Sequence, residues 1–190
     1  MQTAWQRKWL DLEVTHPDLQ KLADAAHKFC FDWFQNAAVP KLLVVVGKTG
    51  CGKTHVAKRV RGWASAVAYE RWLRRESGNQ LPEIVYVEWS DIANPQRMAE
   101  ESFCEWRRTA ADASLLILDD IGTEADVYKS GIPTSRLCEV LNYRAGRFTL
   151  ITTNVPASGW ASRWDARVED RLMRNSTVLE LTAPSFANFS

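Results

Sequence analysis

Apolar residues follow two rhythms along this chain. Five short stretches read as strands, several of them apolar throughout: "KLLVVV" from residue 41, "EIVYVEW" from 83, "SLLILDD" from 114, "FTLITTN" from 148 and "TVLEL" from 177. Each has the length of a strand, and a strand apolar throughout needs cover on both faces. Between them the apolar positions recur every three or four residues, as one face of a helix requires. Leu19, Leu22, Ala26, Phe29, Cys30 and Trp33 form one such face; Val56, Val60, Trp63, Ala64, Val67 and Ala68 form a second. The segment "DIANPQRMAEESFCEWRRTAAD" reads mostly as helix, a further helix surrounds Ser135 to Tyr143, and "ASRWDARVEDRLMRN" reads as one arginine-bearing helix. Strands alternating with helices predict an α/β protein with a parallel sheet covered on both sides.

Breakers place the boundaries. Thr15 is a candidate cap for the first helix, with Pro17 in its first turn and Asp18 at the capping-box position. Residues 78–82 interrupt the second helix. With no internal repeat or low-complexity linker, the chain reads as one domain over residues 15–190, preceded by a short N-terminal segment, residues 1–14.

Composition narrows the setting. The 190 residues are 46% hydrophobic, enough for a full core, and the formal charge of +1 excludes a polycationic nucleic-acid coat. The four cysteines and three histidines show no zinc-type spacing, which argues against a disulfide framework or a zinc site. No apolar run suits a signal peptide or a bilayer span, so a cytoplasmic protein with no membrane partner is expected.

Chemistry enters at "GKTGCGKT", residues 47–54, which fits G-x-x-x-x-G-K-[ST] and lies between a strand and a helix as that motif requires. Its glycines let successive N–H groups approach a phosphate, and the following helix directs its positive end at the same anion. The nucleotide-binding set is Gly47, Lys48, Thr49, Gly50, Cys51, Gly52, Lys53, Thr54 and His55. Lys53 would reach the β- and γ-phosphates of ATP, and Thr54 would coordinate Mg²⁺. Cys51 and His55 occupy variable places, for which local packing is the plainer role.

Three further elements accompany the loop. "LLILDD" ends a buried strand in two acids: Asp119 for the Mg²⁺ shell and Asp120 to orient or deprotonate the attacking water. Asn154, at the end of "LITTN", is placed to bond the γ-phosphate or that water. Arg163, Arg167, Arg171 and Arg174 fall on one helical stripe beside Trp164, Val168 and Leu172. They are either solvated and paired with Asp165, Glu169 and Asp170, or one of them enters a neighbouring subunit as an arginine finger.

Taken in order, "GKTGCGKT", "LLILDDIGTE", "LNYR", "ITTN" and "RVEDRL" resemble the AAA+ ATPases, and within them the DnaC/IstB family of helicase loaders and transposition helpers. The resemblance covers the chain from about residue 15 to its end. It implies a P-loop αβα sandwich without a C-terminal helical lid, and a Mg-dependent ATPase whose slow turnover is stimulated by oligomerisation or DNA. It also implies an ATP-dependent ring or spiral homo-oligomer on DNA, single-stranded for preference, acting with a replicative helicase or a transposase. Arg171 matches the finger position, with Arg167 beside it, while Tyr143 and Arg144 match the family's "NYR", which supports the interface. So compact a chain suits a phage or mobile-element version.

Candidate DNA contacts are the basic side of the second helix, Lys58, Arg59, Arg61, Arg71, Arg74 and Arg75, together with Arg107 and Arg108 beside Trp106; a solvated helix face explains the same residues. Base stacking by Trp89 or Trp106 is a further option. Two other functions share the phosphate loop. One is a slow ATP-dependent recruitment switch; the other is a monomeric phosphotransferase of kinase type, which needs neither the arginine stripe nor "ITTN".

Overall fold

The computed structural model describes residues 16–76, 80–124 and 130–185. Helix α1 (Pro17–Phe34) leads into β1 (Leu42–Gly47), then α2 (Lys53–Leu73), β2 (Ile84–Glu88), α3 (Trp89–Ala93), α4 (Glu100–Asp112) and β3 (Leu115–Ile121). Helix α5 (Ile132–Tyr143), β4 (Thr149–Thr153), α6 (Trp160–Arg163), α7 (Ala166–Met173) and β5 (Ser176–Leu181) follow. The strands form one parallel sheet in the order β2-β3-β4-β1-β5.

Period-two geometry explains why β1 and the first half of β3 read as unbroken apolar runs. Leu43, Val45, Ile117 and Leu150 pack on one face against Leu22, Phe29, Val60 and Trp63 of α1 and α2. Val44, Val46, Leu116, Leu118 and Ile151 pack on the other against Trp89, Phe103, Leu137, Trp160, Val168 and Leu172. Full burial of one such aliphatic side chain contributes about 1.5–3 kcal/mol, so a sheet covered on both faces stabilises more than an amphipathic one.

Local chemistry changes three helices from the sequence reading. His16 caps α1, its ring accepting the Asp18 N–H at 3.2 Å, while Thr15 lies outside the described residues. Asp18 instead anchors α1 to the end of β5, accepting Thr182 N–H at 2.6 Å and Thr182 Oγ1–H at 2.9 Å. Those two bonds hold its pKa down at about 2. The expected helix over residues 91–112 is two, because the chain turns at Asn94–Pro95, where proline removes a donor and disfavours a helical residue before it. Buried Arg136 takes up carbonyls at that break, donating to Ile92 O at 2.7 Å and Met98 O at 3.1 Å.

The arginine-bearing helix is also two. Asp165 interrupts it as the cap of α7, accepting the N–H groups of Arg167 and Val168 at 2.9 Å each. Trp164, Val168 and Leu172 are buried as their spacing predicts, but Arg163 belongs to α6 and leaves the stripe. Arg144 lies inside the molecule rather than on a surface: it is 3% exposed and donates to Thr149 Oγ1 and to the carbonyls of Ala110, Ala111, Ala113 and Phe148. It clasps the C-terminal end of α4 to the start of β4, and burial lowers its pKa to about 10.

Candidate functional site

The glycines of the phosphate loop have separate reasons to be there. Gly50 and Gly52 adopt φ of 82° and 95°, a region open to glycine at little cost. Gly47 is required by proximity instead, since a Cβ there would stand 2.7 Å from Cys51 Sγ and 3.1 Å from Leu181 Cβ. Cys51 is fully buried beneath the loop, so its side chain packs and does not face a ligand. The loop delivers the chain to α2, whose first residues are Lys53 and Thr54.

Lys53 is 6% exposed, and its ammonium donates to Gly47 O at 2.8 Å, Lys48 O at 2.9 Å and Asn154 Oδ1 at 2.7 Å. Asn154 turns its amide nitrogen the other way, donating to Asp120 Oδ1 at 2.9 Å. Its two ends therefore have opposite partners, which fixes the amide orientation. The end of β4 thus joins the phosphate loop to the end of β3.

Asp119 is 1% exposed and accepts three hydroxyl donors: Thr54 Oγ1 at 3.3 Å, Thr152 Oγ1 at 2.5 Å and Tyr86 Oη at 2.7 Å. The Thr152 oxygen also accepts the Asp120 N–H at 2.8 Å. Burial, reinforced by the bond to Asp119, raises the Tyr86 phenol above its ordinary pKa, so it remains a neutral donor. Adjacent residues on a regular strand point to opposite faces, yet both acids address this site. A register shift solves the problem: Leu118 pairs with Ile151 but Ile121 with Thr153, so one extra residue stands on β3. Asp120 takes the left-handed conformation at that bulge, φ 61°, which aspartate tolerates better than most residues.

A cleft of about 370 Å³ opens at the C-terminal edge of the sheet, lined by Thr49, Gly50, Gly52, Lys53, Thr54, His55, Asp120, Thr123 and Asn154, while Asp119 lies buried behind Thr54. In open parallel sheets ligands bind outside the carboxyl ends of the strands. Among the described residues no cluster of three His, Cys, Asp or Glu side chains could hold a metal alone. The Thr54 hydroxyl and Asp119 carboxylate instead offer two hard oxygen donors on one side, which fits Mg²⁺, an ion that keeps waters and takes further ligands from phosphates.

Solved structures were then compared with the chain. The DnaC helicase loader superposes with a TM-score of 0.66 at 18% identity, over 94% of this chain and 99% of that one. DnaI gives 0.63 at 20% identity, over 93% and 94%. The chain has the fold of the DnaC-type AAA+ ATPases. The same AAA+ fold occurs in the replication initiator DnaA bound to AMPPCP and single-stranded DNA, with a TM-score of 0.61 at 14% identity over 84% of this chain and 46% of that one. No protein-family model matches the sequence. No curated protein matches it either.

Within this AAA+ fold the finger candidates do not reach the cleft. Arg171 donates through Nε to Asn142 Oδ1 and through Nη1 to Arg167 O at 2.7 Å. It lines a second cleft, of about 340 Å³, with Leu42 and Thr149 at the N-terminal ends of β1 and β4. Arg167 is exposed and folds onto Asp165, at 2.7 Å from Nη2 and 3.1 Å from Nε. Arg174 pairs with Asp170 at 2.8 Å.

The DNA-contact candidates also divide. Trp89 is fully buried in the core, and Trp106, partly buried, stacks on Phe103 against it. Arg107 pairs with Glu139 and lies over the Tyr143 ring. On α2, Arg61 lies over Tyr86 and Arg71 bonds Phe34 O, while Lys58 stands 4.0 Å from Glu88.

Sequence reasoning missed Tyr86 and Thr152, the two residues that hold Asp119. Thr152 had no distinguishing signal, being one of three threonines among the five residues of β4. Tyr86 had none short of the strand order.

Proposed function

We propose that this chain is a Mg-dependent ATPase of the helicase-loader type, which assembles through ATP into an oligomer on DNA and loads or remodels a replication machine. The observation that carries the reading is the convergence at one sheet edge of two hydrogen-bonded groups, Lys53–Asn154–Asp120 and Thr54–Asp119, which Thr152 bridges. A phosphate loop alone would support nucleotide binding; the two acids and the amide supply what hydrolysis requires. DNA and assembly come from the structural neighbours and from Arg171.

Within the reading each group has a task. The loop N–H groups, the start of α2 and Lys53 bind the phosphates of ATP. Thr54 and Asp119 hold Mg²⁺, which when bound neutralises charge developing on the phosphates. Tyr86 and Thr152 keep the Asp119 carboxylate oriented. Asp120 accepts the proton of the attacking water, and Asn154 keeps that carboxylate aligned while contacting the lysine. Arg171 stands at the far end of the strands and completes a neighbour's site, with Arg167 as its alternative.

The test combines mass and turnover. The complex is weighed with a non-hydrolysable ATP analogue, with and without single-stranded DNA, and is expected to grow beyond the monomer when both are present. Arg171→Ala and Asp119→Asn are each expected to lose turnover, and mixing them is expected to restore part of it through sites that combine an intact acid with an intact finger. A monomer under all conditions, or no recovery at any mixing ratio, rejects the assembly part of the reading.

A further inference from the structure

The turn after the paired aspartates is held by residues far along the chain. Glu124 is 5% exposed, and its carboxylate accepts Gly122 N–H at 2.6 Å and Trp164 Nε1–H at 3.1 Å, with Arg163 Nη2 at 3.2 Å. Arg163 in turn donates to Gly122 O at 3.1 Å and Glu124 O at 2.7 Å. Inside the turn Thr123 Oγ1 donates to Asp120 O at 2.9 Å. Gly122 has φ 94°, and a Cβ there would lie 2.6 Å from Val155 Cγ2 and 3.2 Å from Trp164 Cζ2. A solvent-facing turn needs no such anchorage. A buried carboxylate is costly unless paired and hydrogen-bonded, as this one is.

The anchorage has a target. Asp120 is a non-glycine residue in the left-handed region, a state that persists only when its surroundings enforce it. Released, its backbone would relax and swing the carboxylate away from Asn154. Arg163 and Trp164 also stand immediately before Asp165, the cap of α7, so the groups that grip the acid turn sit at the root of the helix bearing Arg167 and Arg171. We infer that Glu124, with Arg163, is a positioning residue: it holds Asp120 in its left-handed turn for hydrolysis and links that turn mechanically to the arginine helix. The inference rests on the ATPase reading of the same site.

Glu124→Gln, Arg163→Met and the double variant test it; the double variant removes both charges, so no unpaired ion remains buried. Each is expected to lower kcat by about tenfold or more while changing affinity for a non-hydrolysable ATP analogue by less than about twofold. The double variant is expected to be no worse than the poorer single one, as members of one unit behave. Arg171→Ala is expected to cost less turnover in the double-variant background than in the unsubstituted chain, which a merely structural pair would not produce. An unchanged kcat in the double variant overturns the inference and leaves the ATPase reading standing. So does a loss of kcat and affinity together, in step with a lowered Tm. Absence of turnover in the unsubstituted chain, with and without DNA, overturns both.

Discussion

The two ends of the sheet hold their charged groups in different ways. At the C-terminal edge, Lys53, Asn154 and Asp120 form one hydrogen-bonded group and Thr54 with Asp119 another, bridged by Thr152, with the lysine and Asp119 buried. At the N-terminal edge, Lys41, Arg144, Arg147, Arg171 and Arg174 line a cleft in which Asp170 is the acidic side chain. Arg144 there is committed to backbone carbonyls, but Arg171 is held by Asn142 across one helix pair and by the carbonyl four residues before it, and Arg174 by Asp170. The first end is organised by its own chain. The second carries cations in excess of its anions.

The largest effect should come from Lys53→Ala. Removing an ammonium that reaches three acceptors is expected to weaken binding of an ATP analogue at least about 100-fold, the scale of a desolvated charge-assisted contact, at every protein concentration when titrated calorimetrically. Arg171→Ala is the contrasting case: analogue affinity of the monomer should stay unchanged while turnover in the assembly falls. Equal effects of the two on monomer binding would erase the difference between the ends.

Tyr86→Phe sharpens the comparison at intermediate scale. It deletes one of three donors to Asp119 and should cost about 1 kcal/mol, or roughly fivefold, in the Mg²⁺ concentration needed for half-maximal turnover. Affinity for analogue without metal should not move.

The smallest effect lies outside both ends. Asp18 has a folded-state pKa of about 2, below the ordinary carboxylate value, so its contribution is present above the unfolded pKa and lost as pH falls from about 4 towards 2. Asp18→Asn should therefore flatten the decline of Tm across that window and leave ATP turnover untouched.

What could be read from the sequence was local. Strands buried on both faces announced themselves because every residue of "LLVVV" or "LLIL" meets a core, and the loop "GKTGCGKT" because its glycines and lysine stand at a fixed spacing between a strand and a helix. The acids and Asn154 were legible from their places at strand ends. Tyr86 and Thr152 were not, since their contact with Asp119 depends on strands that are neighbours in the sheet but 33 residues apart in the chain. The bulge that turns Asp120 beside Asp119 leaves no mark on apolar periodicity. Nor does the break at Asp165, because Trp164, Val168 and Leu172 keep helical spacing across it, so the four arginines looked like one stripe. The Glu124 and Arg163 pair escaped because the two lie 39 residues apart in the chain, with Arg163 reading as one of that stripe.

Asn154 sets a narrow rule for its own replacement. Its position must present an acceptor to an ammonium and a donor to a carboxylate while carrying no charge, over the span of one short side chain. Aspartate has the shape but turns the second contact into a meeting of two carboxylates; serine has a single polar atom where two separated ones are needed; alanine leaves both neighbours unsatisfied. Variation here is restricted by the direction of a dipole, and neither bulk nor hydropathy would foretell it.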